Sequence, residues 1–183
     1  MKKDFSVSMV KANLYAVIAA LPFIVILLGL DIYIWKGRNF LSQLFIDNFQ
    51  NFILFMLLVF LGIPIRGYLV GLTWQLCGKN KSNTVKYSFN WKAMTLLVHC
   101  KEPIEVKAYR LGAVMPGMIL GFFPAFIGIV TGNAVIFVFG LSGVFFAGTD
   151  ILILWLIRNV KAGSLVEDHP KRAGCYVIDK KED

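Results

Sequence analysis

Histidine is nearly missing from this chain. His99 and His169 are the two present, and neither lies inside an apolar run. Imidazole-based metal binding or acid–base chemistry within those runs is therefore excluded. Charge is scarce as well, at 16% of residues, where a soluble domain carries roughly a quarter. Cysteine is limited to Cys77, Cys100 and Cys175. Their spacing with His99 and His169 matches no compact metal-ligand motif, so ordinary reduced thiols are the expectation. A small-x-small cleavage site is also lacking between the first apolar stretch and Lys36. That stretch exceeds the h-region of a signal peptide and reads as a retained helix.

What is abundant is apolar side chain, at 57% of 183 residues. It is gathered into four runs, at 14–35, 52–76, 111–130 and 134–157. Each is long enough to cross hydrocarbon as a helix, which takes about 20 residues. The expected fold is an all-α membrane protein with four transmembrane helices. Residues 1–160 form a single polytopic domain and 161–183 a tail, polar and ordered at best locally. Asp31, near the far end of the first run, is expected to reach the interface.

Charge sets the expected orientation. Of the nineteen Lys and Arg residues, only Lys36 and Arg38 lie in the loops on one face, and Arg66 lies within a run. The other sixteen lie with the termini and the loop joining runs two and three. The positive-inside rule then puts both termini in the cytoplasm. The net charge of +8 reads as a topology signal, with attraction to anionic headgroups as a by-product. Basic residues scattered through loops beside a bilayer give no support for nucleic-acid binding. The lipid bilayer is the expected partner.

Between the first two runs, Phe40, Leu41, Leu44, Phe45, Phe49 and Phe52 recur at three- and four-residue intervals opposite Asp47, Asn48 and Gln50. This predicts a helix lying in the outer interface. After a turn-rich stretch at 78–83, residues 84–89 and 94–100 are rich in Thr, Val, Tyr, Phe and Leu. They predict a small cytoplasmic β-hairpin. Pro116 and Pro124 predict kinks in the third run. Gly117, Gly121 and Ala125 fall four apart there, and Gly143 and Ala147 do so in the fourth, giving small-residue faces for close helix packing. Only Thr131, Gly132 and Asn133 separate these two runs, which forces an antiparallel pair.

Arg66 lies deep in the second run. A guanidinium at mid-membrane costs ~2.5–3.5 kcal/mol on insertion scales, so it is expected to face inward and find an anion. Asp150 is the candidate. Arg66 precedes Gly78 by twelve residues and Asp150 precedes Arg158 by eight, placing them ~18 Å and ~12 Å from the same side at 1.5 Å per residue. That difference is about one helical turn, within reach of an arginine side chain. The alternative is that Arg66 snorkels and Asp150 bonds to backbone or is protonated.

The frame Pro64-Ile65-Arg66-Gly67-Tyr68-Leu69-Val70-Gly71, the segment Cys100-Lys101-Glu102-Pro103-Ile104, Tyr109, Pro116, Gly148-Thr149-Asp150, and Asp168-His169-Pro170 with Gly174 occur in a telling order. Together they resemble the small bacterial membrane proteins known as the putative zincin peptidase family, whose plan is similar to that of site-2 proteases. The resemblance implies an intramembrane zinc peptidase fold in a bacterial plasma membrane. The family's His-Glu-x-x-His motif would fall on 66–70, with Asp150 at the place of an acidic third ligand. Here Arg66 stands at the first histidine position, Gly67 at the glutamate and Val70 at the second histidine. Zinc hydrolysis needs imidazoles at i and i+4 and a carboxylate to activate water.

The expectation is therefore a non-catalytic relative that requires no cofactor, and bound zinc would contradict it. Its role would be that of a scaffold or a binder of another membrane protein, or of a second copy of itself. Two other readings stay open. One is a small transporter or channel using Arg66 and Asp150. The other is a peptidase with a non-standard site, for which Thr73, Ser142 and Thr149 are hydroxyls within the runs, none with an evident base.

Overall fold

In hydrocarbon no water is available for backbone N–H and C=O groups, so apolar runs of this length satisfy them within helices. The computed structural model describes residues 2–36, 43, 49–77, 85–90, 95–100, 103–161, 163–168 and 173–178. Among them are four helices long and apolar enough to cross a membrane, Val10–Ile34, Phe49–Leu76, Val106–Thr131 and Ala134–Leu156. The chain is a multi-pass membrane protein.

The element order begins with β1 (Lys2–Val7), α1 (Met9–Ile34) and α2 (Phe49–Cys77). The hairpin β2 (Val85–Asn90) and β3 (Thr95–Cys100) follows, then β4 (Ile104–Glu105). Span three consists of α3 (Val106–Gly117), a π-helical turn (Met118–Phe122) and α4 (Phe123–Thr131). Span four consists of α5 (Ala134–Phe146) and α6 (Gly148–Leu156), and β5 (Leu165–Asp168) and β6 (Ala173–Ile178) close the chain.

The expected kinks in span three take the form of that π-turn, which sits between Pro116 and Pro124. Proline cannot donate to the carbonyl four residues back, and widening the helix by one residue per turn accommodates the missing bond. The turn to span four is built from local chemistry. Gly132 ends α4 at φ 70°, a left-handed conformation that glycine adopts without penalty. Asn133 then caps α5, its Oδ1 accepting from the amides of Val135 at 3.0 Å and Ile136 at 3.2 Å. Trp35, at the end of α1, donates Nε1 to the Ile129 carbonyl at 2.8 Å and lays its ring where a side chain on Gly132 would stand.

Spans three and four pack through their small residues. A Cβ on Gly117 would stand 3.0 Å from the Ala147 Cβ, and one on Gly121 would stand 2.8 Å from the Val144 nitrogen. Gly140 lies against the Ala125 backbone, Gly143 against the Leu120 carbonyl, and Gly128 against the Phe137 backbone. The ladder is antiparallel, as so short a turn requires. Around it Leu27, Ala125, Ile129, Phe137 and Val144 form one core cluster.

Helix α1 packs on α4, α5 and α6 through a stripe of Ala12, Ala16, Ala20, Leu27 and Asp31, all buried. Asp31, expected at the interface, is enclosed among the helices. It falls in helical phase with the inward-facing alanines, and that phase, not its distance from the helix end, sets its burial.

The tail also departs from expectation. It is not merely local structure. Its strands β5 and β6 belong to a four-stranded antiparallel sheet of order β1-β6-β5-β4. The register pairs Lys2 with Ile178 and Val7 with Ala173, Val166 with Val177, and Ile104 with Val166. Gly174 adopts φ +125°, and a side chain there would meet the Phe5 carbonyl. The sheet caps one end of the bundle, because β1 runs into α1, β4 runs into α3, and β5 follows α6. Val166, Cys175 and Val177 pack with Trp74, Ile104, Val106, Tyr109 and Ile157 in a second core cluster. The separate hairpin pairs Val85 with Cys100 and Asn90 with Thr95, within a residue of the predicted segments, and lies beside α2.

Most of the expected interfacial helix, the turn-rich stretch 78–83 and the pair His169-Pro170 lie outside the described residues. Gln43 is helical, and its carbonyl accepts Nδ2 of Asn51 at 3.0 Å.

Candidate functional site

Span four is interrupted at the turn residue Ala147, between α5 and α6. Gly148 beside it lets the Ala16 carbonyl of α1 come so close that any Cβ would collide with it. The α6 segment carries Asp150 in its first turn. The glycine in Gly148-Thr149-Asp150 thus has a positioning task that composition does not disclose.

Across from it, α2 carries Arg66 two residues after Pro64. Its Nη2 donates to both carboxylate oxygens of Asp150, at 2.9 Å to Oδ1 and 2.8 Å to Oδ2. One nitrogen serves both oxygens, so this is not the two-nitrogen fork of a fully bidentate pair. The carboxylate is the more enclosed partner, at 14% exposure against 38% for the arginine side chain. Helices α2 and α6 both pack on α3, and the ion pair joins them.

The other positions of the expected motif lie on the same stretch of α2. Gly67 is buried and Val70 half-buried, the latter against the cluster beneath the sheet. This donor set does not fit a zinc ion. A guanidinium carries no free lone pair, glycine and valine offer no side-chain donor, and both Asp150 oxygens already accept from Arg66. Among the described residues, no three His, Cys, Asp or Glu side chains gather where a metal could be held.

Two of the hydroxyls weighed as nucleophiles bond to their own helices. Thr73 donates Oγ1 to the Leu69 carbonyl at 2.7 Å, and Ser142 donates Oγ to the Phe139 carbonyl at 2.7 Å. Such back-bonding is ordinary for hydroxyls in apolar helices. Thr149 is half-buried beside Asp150.

Arg110 is a residue whose role sequence reasoning missed. Its Nη2 donates to the carbonyls of Ile157, Arg158 and Val160, so a single guanidinium closes the carboxyl end of span four. The Ile157 carbonyl also accepts the Val160 amide at 3.1 Å, and a cation at this helix end complements the helix dipole. Along the chain Arg110 is only one of the basic residues outside the spans. Nothing in the linear order shows that α3 begins where α6 ends. Nearby, the Arg158 guanidinium lies 3.8 Å over the ring of Trp155, which is 66% exposed, an arrangement suited to a membrane–water boundary.

A family model described as "Putative zincin peptidase" matches residues 59–165. That stretch runs from within α2 to the first residue of β5 and includes both members of the ion pair. No curated protein and no solved structure matches the chain.

Proposed function

Because the chain belongs to the putative zincin peptidase family, we propose that it is a non-catalytic, multi-pass member of it that binds another membrane protein. The observation that carries this reading is the guanidinium of Arg66 on the carboxylate of Asp150, at the positions where the family motif would hold an ion. A cation built into the chain balances the aspartate without a cofactor. Neither Gly67 nor Val70 supplies the base or the second imidazole that water activation at zinc requires.

Purified protein equilibrated with zinc and then desalted is expected to retain far less than one ion per chain by elemental analysis. Stoichiometric zinc that survives the Arg66→Ala change but not Asp150→Asn would overturn the reading.

We place the protein in a bacterial plasma membrane with both termini in the cytoplasm. Support comes from the sixteen basic residues on the side of the termini against two on the other, a bias that sets orientation when it lies in short loops. A thiol-reactive probe that cannot cross membranes should label a cysteine introduced at Arg38 in intact cells. Labelling that appears only after the cells are opened would reverse the assignment.

A further inference from the structure

Positive charge is concentrated where α3 begins and α6 ends. Arg110 reaches across from α3, its Nη2 donating to the Arg158 carbonyl at 3.2 Å and to the Val160 carbonyl at 3.0 Å. Those bonds hold the segment of Arg158 and Lys161, both exposed, against the start of α3. Lys107, also exposed, precedes Arg110 by three residues and so lies on the same side of that helix. Glu105, half-buried at the head of α3, offsets one of these four cations. A net excess of positive charge remains.

Two further observations set this cluster at the level of lipid headgroups. Trp155 is 66% exposed and stands at the end of a membrane-length helix, the usual depth of an interfacial tryptophan. The Arg158 guanidinium lies 3.8 Å over its ring. An aromatic ring engages the charge of a guanidinium and leaves its N–H donors available to a second partner. Down α3 from Lys107, the same helix face continues as Leu111, Val114 and Met118, all exposed. A cation at the head of an apolar stripe matches the order of a phospholipid, with its phosphate at the boundary and its acyl chain below. A zwitterionic lipid would bring its own amine into this positive field, whereas an anionic one keeps the full attraction.

We infer that the junction of α3 and α6 is a binding site for an anionic phospholipid. Its phosphodiester is held by Arg158 and Lys107, with Arg110 and Lys161 adding their charge, and an acyl chain lies along Leu111, Val114 and Met118. This site is separate from the Arg66–Asp150 pair, and it stands whether or not the chain is catalytic or binds another membrane protein.

The test offers the full chain, in detergent micelles, equal concentrations of phosphatidylglycerol and phosphatidylcholine with identical acyl chains. Native mass spectrometry then counts the lipid that each chain retains. A basic group near an anionic headgroup is worth about fivefold, so phosphatidylglycerol should be retained over phosphatidylcholine by about tenfold or more. Changing Lys107→Gln and Arg158→Gln together should cut that preference by roughly tenfold. The pair Lys180→Gln and Lys181→Gln, an equal loss of charge on the tail, should leave it intact. Arg158→Lys keeps the charge but loses the planar donors, and it should lower the preference without shifting the melting temperature. That variant also decides the matter should the double change prevent folding. Equal retention of the two lipids, an equal loss in the tail variant, or an undiminished preference in Arg158→Lys overturns the inference. Displacement of the bound lipid by inorganic phosphate alone would assign the cluster to a free anion and overturn it as well.

Discussion

Replacing Arg66 with methionine should lower stability by ~2–4 kcal/mol, because it leaves the enclosed carboxylate of Asp150 without its cation. Removing one partner of a fully buried pair costs ~3–5 kcal/mol, and the figure is discounted here because the arginine is 38% exposed and the pair is partly screened. The converse change, Asp150→Asn, should cost less, ~1–2 kcal/mol. Its amide oxygen still accepts from Nη2, and a flexible arginine can turn toward the interface where an aspartate held on α6 cannot. The double variant should be more stable than the sum of the two losses implies. A coupling of ~1 kcal/mol or more is expected for groups in direct contact. Reversible unfolding in mixed micelles measures it. Strictly additive losses would mean that the observed contact contributes nothing, and the account of Arg66 as a built-in counter-ion would go with it.

The second large effect belongs to the interface between spans three and four. Gly140→Val should cost ~3 kcal/mol or more, or leave no folded protein, since a Cβ there would overlap the Ala125 nitrogen and stand 2.5 Å from its Cα. Rotating a side chain cannot relieve a clash with backbone, so the helices must part. Parting them loosens Gly121 on Val144, Gly143 on Leu120 and Gly128 on Phe137 together. Membrane helices lack a hydrophobic drive toward one another and associate through just such close packing. Gly29→Ala is the matched control, for a Cβ on Gly29 would meet nothing within 4 Å. There the change should be neutral or stabilising by up to ~1 kcal/mol, through the helix preference of alanine. A control as damaging as Gly140→Val would show that the effect lies in helix propensity and not in contact.

Much of the architecture was legible along the chain because its causes are local. Hydrocarbon leaves an apolar run no option but a helix, so four spans follow from four runs, with ends displaced by a few residues. The tight Thr131-Gly132-Asn133 turn follows from a left-handed glycine and a capping asparagine in immediate succession. The hairpin likewise reads directly from two adjacent β-rich segments. The small-residue faces were visible as spacing, and the antiparallel turn already indicated that they would meet.

Other features needed partners from distant parts of the sequence. Strand β1 has its neighbour β6 at the opposite end of the chain, and β4 finds β5 only after two spans have intervened. The tail therefore reads as polar and local until the sheet brings those edges together. Asp31 looks interfacial by its position along α1, but helix phase turns it inward. Arg110 gains its role only where the start of α3 meets the end of α6.

From sequence alone came the membrane class, the number of spans, the family resemblance, and the presence of one cation and one carboxylate at similar depth. Tertiary structure decided that one nitrogen of Arg66 grips both oxygens of Asp150, that both helices carrying them pack on α3, and that Gly148 lets α1 close on the segment that carries the aspartate. Depth within a bilayer is a function of position along the chain, and composition records it. Direction around a helix axis, and which faces oppose, depend on contacts between residues that no stretch of sequence contains together.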